Sequence, residues 1–150
     1  MAQSLSNLLI HLVFSTKYRA PLINADMEPE LYLLAKSIVR NMNAPVIEIG
    51  GTEDHLHFLL VLPRTGMISD IVRNLKSVST RWVKEKDPTQ TTFGWQRGYA
   101  AFSVSHSTRN KVAEYISLQK KLHENRSFQD EYRLLLKMHE VQFDENFVWD

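Results

Sequence analysis

Two spacings of apolar residues follow one another along the chain and predict its first elements. Residues 7–15 are almost all apolar, with β-branched and aromatic members, which predicts a strand buried on both faces. Residues 27–42 then place apolar side chains at helical intervals, which predicts an amphipathic helix. We therefore expect the chain to begin with a strand followed by a helix.

A hairpin is predicted next. Residues 45–49 and 55–62 are short apolar runs typical of strands. Gly50 and Gly51 stand between them, and glycine accepts the positive φ that many turns need. We expect these two glycines to form the turn.

The second half of the chain is predicted to be mainly helical. An apolar stripe over residues 68–82, followed by the helix breaker Pro88, predicts a second long helix. The apolar run 99–105 predicts a fourth strand, and further helices are predicted at about 109–124 and 127–139.

The order β-α-β-β-α-β predicts an α+β fold of the ferredoxin-like or RRM-like class. Such a fold has an antiparallel four-stranded sheet with two helices on one face, and here two extra C-terminal helices follow. We expect a single domain over residues 1–150, with a core at 5–105, a helix at about 109–124, and a C-terminal helix and tail at 127–150. Many functions share this fold, so the function must come from particular side chains.

Composition narrows the possible chemistry. The 150 residues include no cysteine, which excludes disulfides and thiolate metal sites and leaves His, carboxylate, amide and water as metal ligands. No basic cluster precedes an apolar run at the N-terminus, and no apolar stretch reaches the roughly 18 residues of a membrane span. We therefore expect a soluble cytoplasmic protein without a membrane partner.

Charge is unevenly distributed, although the formal net charge is only +1. Residues 1–123 contain 15 Lys and Arg against 10 Asp and Glu, and residues 124–150 contain 3 against 7. A basic body suits a nucleic-acid ligand, but an ordinary solvated surface can have the same asymmetry. Charge alone leaves both interpretations open.

Two histidines lie on the third predicted strand. Side chains alternate between the faces of a strand, so His55 and His57 point the same way, about 7 Å apart. Two imidazoles at this separation can share a metal ion, and a hydrogen-bonded pair is the alternative. Asp54, just before them, can fix the tautomer of one ring.

A tyrosine and a glutamine share one face of the predicted helix at 109–124. Tyr115 and Gln119 are four residues apart, so they stack on the face that also carries apolar side chains. The pair therefore faces protein. A packed tyrosine beside a glutamine at the edge of the core explains this pattern as well as a functional site does.

The two pairs together resemble a known constellation. The strand DHLHFLL from Asp54, followed by YISLQ from Tyr115, is similar to the HUH-type tyrosine transposases of small bacterial insertion sequences. These are the single-strand transposases of the IS200-like group, including those associated with repetitive extragenic palindromes. The likeness runs nearly end to end, through NLLIHLVFSTK from Asn7, WQRGYAAFSVS from Trp95 and FDENFVW from Phe143.

The resemblance implies a role for each of the four residues. His55 and His57 match the metal-binding pair of the family. Tyr115 matches the nucleophile, and Gln119 matches the third metal ligand. The implied enzyme nicks and rejoins single-stranded DNA at hairpin-flanked sites through a 5′-phosphotyrosine intermediate. A homodimer is also implied, in which the tyrosine helix can complete the partner's metal site.

Mg²⁺ or Mn²⁺ is the expected ion. Two imidazoles and one amide oxygen leave coordination positions for phosphate oxygens and water, unlike a closed zinc site. A metal ion bound to the scissile phosphate can orient it for in-line attack by the tyrosine. Because a phosphotyrosine link keeps the energy of the broken bond, no ATP is needed for rejoining.

Single-stranded DNA is usually held by a basic groove with aromatic platforms. His11, on an otherwise apolar strand, is expected to be a hydrogen-bonded core histidine and not a ligand. Each candidate DNA contact also has a surface or core interpretation. The candidates are basic and aromatic residues in three segments: Lys17, Tyr18 and Arg19; Arg73, Lys76, Arg81 and Lys84; and Trp95 and Arg97.

Three other functions are alternatives. A histidine-triad nucleotide hydrolase needs a third histidine two positions on, where Leu59 stands. A sheet-based RNA-binding module displays stacking aromatics on adjacent central strands, and the third strand offers only Phe58. The strongest alternative is a domesticated or inactive relative that binds single-stranded or hairpin DNA without cutting it. The sequence does not identify the DNA target, and it does not show whether the gene is a mobile element or a domesticated one.

Overall fold

The computed structural model describes residues 2–150. Its strands are β1 (Leu8–Ser15), β2 (Val46–Gly51), β3 (His55–Leu62) and β4 (Ala100–Val104). Its α-helices are α1 (Glu28–Asn41), α2 (Ile68–Lys86), α3 (Arg109–Ser117), α4 (Gln119–Leu122) and α5 (Phe128–Met138). Within the described residues, no helix combines the length and the apolar character that crossing a membrane requires.

The four strands form one antiparallel sheet in the order β2-β3-β1-β4. β1 lies in the middle and pairs with β3 in a register that runs from Leu8↔Leu62 to Ser15↔His55. This order is that of the ferredoxin-like fold. The predicted fold class, α+β with an antiparallel four-stranded sheet, is therefore confirmed.

The two faces of the sheet carry different layers. On one face, buried side chains such as Phe14 and Phe58 pack with residues of α1 and α2. On the other face, Val13 packs with apolar residues of α5, and Leu59 packs with Ile116 of α3. Because side chains alternate along β3, its odd-numbered residues all lie on the side of α3 and α5.

Gly50 and Gly51 do not form the predicted turn. Both lie in β2, and no glycine among residues 2–150 has a positive φ. A Cβ atom at Gly50 would stand 2.2 Å from the carbonyl oxygen of Ile116. The missing side chain therefore lets α3 lie directly on β2, and the chain reverses over residues 52–54 instead.

The helix predicted at about 109–124 is divided in the structure. α3 ends at Ser117, Leu118 has φ −99 and ψ 18, and α4 begins at Gln119. The next helix, α5, begins after Ser127, whose side-chain oxygen accepts a hydrogen bond from the backbone N–H of Asp130 at 3.1 Å. Tyr115 and Gln119 therefore belong to different helices.

Candidate metal centre and nucleophile

His55 and His57 project from β3 toward α3 and α5, and both side chains are fully buried. Their ring centroids are 5.2 Å apart. The Nε2 atoms of both rings point at Glu131 of α5, whose Oε1 lies 3.0 Å from His57 Nε2 and 3.6 Å from His55 Nε2. The structure thus brings the predicted pair together around a carboxylate that the sequence analysis did not name.

The outer nitrogen of each ring has its own partner. His55 Nδ1 lies 2.7 Å from Asp54 Oδ1, and because a carboxylate only accepts, this nitrogen carries the proton. His57 Nδ1 lies 2.8 Å from His11 Nε2. Such outer partners orient metal-binding imidazoles, so that each inner Nε2 faces the cluster. His11 itself is buried and hydrogen-bonded, which confirms it as a core histidine.

Gln119 and Tyr115 reach the same carboxylate from the other side. Gln119 is buried, with its Oε1 2.9 Å from His55 Nε2, and its Nε2 donates to Glu131 Oε2 at 2.9 Å. The half-buried Tyr115 donates its hydroxyl hydrogen to the same Oε2. The four predicted residues therefore converge on Glu131, although the helix that was to carry two of them is broken.

Glu131 is the first functional residue that the sequence analysis missed. It is 1% exposed and lies on α5 among the buried residues Phe128, Tyr132 and Leu135. A carboxylate within the apolar stripe of an amphipathic helix was the available signal, because a buried charge needs a partner.

His123 is the second residue missed. It follows α4, and its Nε2 lies 3.0 Å from Glu131 Oε1 and 3.0 Å from Gln119 Oε1. The signal in the sequence was its spacing, since His123 continues the four-residue interval that separates Tyr115 from Gln119. The cluster around Glu131 thus contains three imidazoles.

Burial and charge set the protonation of the cluster. Burial acts to raise the pKa of Glu131, but hydrogen bonds from His123 and His57 outweigh it and hold that pKa well below its ordinary value. Burial, and then the negative charge of Glu131, raise the pKa of Tyr115 well above its ordinary value. In this state Glu131 is a charged carboxylate and Tyr115 is a protonated phenol at neutral pH.

The donor set fits a divalent metal ion. One donor atom from each of His55, His57 and Glu131 can be chosen so that all three lie within 4.8 Å of one another. Imidazole nitrogen with carboxylate oxygen is a common ligand combination for divalent ions, and a buried carboxylate gains from a neighbouring positive charge.

The residues predicted to contact DNA line two clefts elsewhere on the molecule. A groove of about 840 Å³ runs along α2 and includes Arg73, Lys76, Arg81 and Lys84, together with Trp95 and Arg97. A smaller cleft of about 360 Å³ is lined by Lys17, Tyr18 and Arg19, again with Trp95 and Arg97. Neither cleft shares a lining residue with the histidine–carboxylate cluster.

Lys76 and Trp95, among these candidates, are tied to the loop beside the groove. The Lys76 ammonium donates to the backbone carbonyls of residues 96–98 at 2.8, 3.2 and 2.7 Å, and burial lowers the pKa of this lysine to about 8. Trp95 is 8% exposed, and its indole N–H donates to Ser79 Oγ at 2.9 Å. Both side chains support the loop beside the groove. Arg19 is half-buried against Trp149, and the exposed candidates are Lys17, Tyr18, Arg73, Arg81, Lys84 and Arg97.

The comparisons with known proteins agree on one family. The family described as "Transposase IS200 like" matches residues 4–119. The matched segment contains all four residues predicted for catalysis and metal binding, and it ends before His123 and Glu131.

Individual relatives and solved structures point the same way. The ISDra2 transposase TnpA of Deinococcus radiodurans is 28% identical over 114 residues, which cover 73% of this chain and 81% of that protein. The transposase for insertion sequence element IS200 of Salmonella typhimurium is 26% identical over 124 residues, or 79% and 81% of the two chains.

Two solved structures share the fold. A crystal structure of a Deinococcus radiodurans protein described as a transposase superposes with a TM-score of 0.62 and 25% identity, covering 77% of this chain and 95% of that one. A REP-associated tyrosine transposase bound to a REP hairpin gives a TM-score of 0.61 and 14% identity, with 82% and 74% coverage. At that identity the second likeness concerns the fold alone.

Proposed function

The chain belongs to the IS200-like transposase family, and we propose that it cuts and rejoins single-stranded DNA with Tyr115 as the nucleophile. The observation that carries the proposal is the convergence of the Tyr115 hydroxyl and the buried imidazoles of His55 and His57 on one carboxylate. Pure DNA binding requires no buried tyrosine against a histidine–carboxylate cluster, whereas nucleophilic phosphoryl transfer uses both.

The proposed reaction exchanges one phosphodiester for another. The Tyr115 oxygen attacks a DNA phosphorus, a 5′-phosphotyrosine bond forms, and the bond from that phosphorus to the 3′ oxygen breaks. The tyrosine proton is lost to water, and the departing 3′ oxygen takes a proton from water, while the hydrogen bond to Glu131 Oε2 positions the hydroxyl before the attack. Attack by an incoming 3′-hydroxyl reverses these steps and rejoins the DNA without ATP.

The charge of Glu131 has to be offset before Tyr115 can ionise, because burial and this charge both raise the pKa of the phenol. We propose that Mg²⁺ or Mn²⁺ binds to His55, His57 and Glu131, with Gln119 as a further ligand. A divalent ion in that position supplies a Lewis acid for the scissile phosphate. The four residues hold the site, and Asp54 and His11 orient its two imidazoles.

The cluster is covered when no DNA is bound. His55 and His57 have no exposed surface, and the ring centroid of Phe128 on α5 lies 4.5 Å from that of His55. A phosphate group is larger than a water molecule and cannot enter such a closed space. Strand entry therefore requires side chains that cover the cluster, such as Phe128, to move aside.

We propose a single strand with a hairpin as the substrate. The solved relative with a similar fold was bound to a REP hairpin, and this chain offers two basic clefts that share Arg97. Basic side chains beside the phosphate backbone supply affinity, and an exposed ring such as Tyr18 can stack on a base. Arg73, Arg81 and Lys84 on α2, with Lys17 and Arg19 in the smaller cleft, are the proposed backbone contacts.

The first experiment tests whether the covalent protein–DNA intermediate forms. Purified protein is incubated with single-stranded DNA that carries the hairpins flanking its own gene, with Mg²⁺ or Mn²⁺ or with chelator, and run on a denaturing gel. We expect a metal-dependent protein–DNA adduct from wild type and none from Tyr115→Phe. Tyr132→Phe is the matched control and should keep the adduct, because Tyr132 is a buried tyrosine of α5 that packs against Phe128 and the C-terminal Trp149.

A second outcome would favour the alternative function. If wild type shifts the hairpin DNA on a native gel but forms no adduct with either ion, the protein is a DNA-binding relative that has lost cleavage. An adduct that survives in Tyr115→Phe would instead assign the nucleophile to another residue.

A further inference from the structure

His123 contributes a third imidazole to the cluster, and neither the predicted ligand set nor the matched family segment includes it. Its side chain is 8% exposed. Its Nε2 is 3.0 Å from both Glu131 Oε1 and Gln119 Oε1, the two oxygens that also face His55 and His57. Three imidazoles, one carboxylate and one amide oxygen therefore surround a single small volume.

The three imidazoles are oriented in the same way. His123 Nδ1 lies 2.5 Å from the backbone carbonyl oxygen of Arg126, which can only accept, so this nitrogen carries the proton. The outer Nδ1 atoms of His55 and His57 likewise have partners outside the cluster. In each ring the inner Nε2 faces the shared volume, which is the arrangement that hydrogen-bond partners on the outer nitrogen impose on metal-binding histidines.

The spacings of the inner atoms match those of ligands around one ion. Two donors at about 2.1 Å from a metal and at right angles to each other lie about 3 Å apart. The separations from His123 Nε2 to the two oxygens, and from His57 Nε2 to Glu131 Oε1, are each 3.0 Å. Among the described residues, the donor atoms of His55, His57 and Glu131 all lie within 4.8 Å of one another, so His123 Nε2 has to move inward from its contacts with Glu131 and Gln119 to join them around one ion.

We propose that His123 is a ligand of the same ion as His55 and His57, and that the site takes a first-row transition dication in preference to Mg²⁺. The inference rests on the metal site of the proposed function and deepens it. Mg²⁺ demands oxygen ligands and gives up its water reluctantly, whereas imidazole nitrogen suits transition ions. A third imidazole therefore shifts the preference within the Mg²⁺-or-Mn²⁺ pair toward Mn²⁺ and its neighbours.

The test uses the full chain without DNA, stripped of metal with chelator. Mn²⁺ binding is followed by the loss of the free-ion electron paramagnetic resonance signal, for wild type, His123→Gln, His55→Ala and the exposed control His106→Gln. Pulsed electron paramagnetic resonance on the wild-type Mn²⁺ complex then counts the imidazole nitrogens coupled to the ion. This count needs no variant, so it stands even if His123→Gln folds poorly.

We expect one bound Mn²⁺ with three coupled imidazoles in wild type, and at least about tenfold weaker binding in His123→Gln. His106→Gln should bind as wild type does, and Mg²⁺ in about a hundredfold excess should leave the Mn²⁺ bound. Three results would each overturn this proposal: only two coupled imidazoles, an unchanged Mn²⁺ affinity in His123→Gln, or ready displacement of Mn²⁺ by Mg²⁺. None of them would contradict the proposed DNA cleavage. If no ion binds at all, both this inference and the metal site of the proposed function fail. If Mn²⁺ binds but no DNA adduct forms, only the proposed DNA cleavage fails.

Discussion

The buried contact between His11 and His57 links the stability of the protein to pH. Burial, and then the neighbouring His57, lower the pKa of His11 from 6.5 to about 3. In the unfolded chain the imidazole titrates near 6.5, so between these two values the unfolded state binds the extra proton. The stability that depends on a neutral His11 is present above pH 6.5 and is lost as the pH falls toward 3.

The first prediction concerns this residue. When the pH falls from 7.5 to 5, protonation of His11 in the unfolded state should lower the unfolding free energy of the wild type by about 2 kcal/mol. His11→Asn should not show this part of the decrease. Urea unfolding in the presence of chelator at the two pH values measures both proteins. His106→Asn, at an exposed position, is the control and should follow wild type. Equal pH slopes for wild type and His11→Asn would contradict the assignment.

At the residue scale, the face on which a side chain lies could be predicted from the sequence, but not the full set of side chains that meet in the cluster. Alternation along β3 places His55 and His57 on one face, and the structure has them there. Glu131 could not be assigned in this way, because helical periodicity says that it faces the interior but not which histidines it meets. That contact depends on how α5 docks against the sheet, a long-range property that local spacing does not contain.

The packing of α3 on β2 depends on a glycine where two elements touch. A Cβ atom at Gly50 would stand 2.2 Å from the carbonyl oxygen of Ile116, a backbone atom that cannot rotate away. Because Ile116 adjoins Tyr115, any shift of α3 at this point also shifts Tyr115. The position of the tyrosine is thus set partly by the absence of a side chain on the neighbouring strand.

The second prediction is made for this contact between elements. Gly50→Ala should lower the unfolding free energy by about 1–3 kcal/mol, as overpacking does, and should reduce adduct formation more than it reduces DNA binding. Gly94→Ala is the matched control, because a Cβ there meets nothing closer than 4.0 Å. Thermal melting and the adduct gel measure the two effects. If Gly50→Ala were as stable and as active as wild type, α3 would not rest on β2 in this way.

At the element scale, the order of strands and helices could be predicted from the sequence, but the turn after β2 and the break between α3 and α4 could not. The pair Gly50-Gly51 has the composition of a turn, yet composition does not distinguish a positive φ from a close approach between elements. The break at Leu118 carries neither glycine nor proline, so no local signal announced it. Both details follow from packing of α3 and α4 against the sheet.

One chain supplies every part of the cluster. β3 contributes His55 and His57, α3 contributes Tyr115, and the segments that follow contribute Gln119 and Glu131. The Tyr115 hydroxyl donates to the same carboxylate that faces the histidines of its own chain. The family resemblance implied a homodimer in which the tyrosine helix can complete the partner's site, but nothing in this arrangement needs a second copy.

The last prediction tests that independence with two inactive variants. Tyr115→Phe keeps the histidines, and His57→Ala keeps the tyrosine. If each site were shared between two subunits, a mixed dimer would contain one intact site. Random mixing of the two variants would then give about a quarter of the wild-type amount of adduct. Because Tyr115 and His57 meet within one chain, we expect the co-refolded mixture to form no adduct. As a control, wild type is mixed with Tyr115→Phe. The amount of adduct should then be proportional to the fraction of wild-type chains, which would show that an inactive subunit does not inhibit an active one. Adduct from the first mixture would mean that α3 exchanges between copies when DNA binds, and the contact between Tyr115 and Glu131 would then belong to the DNA-free state alone.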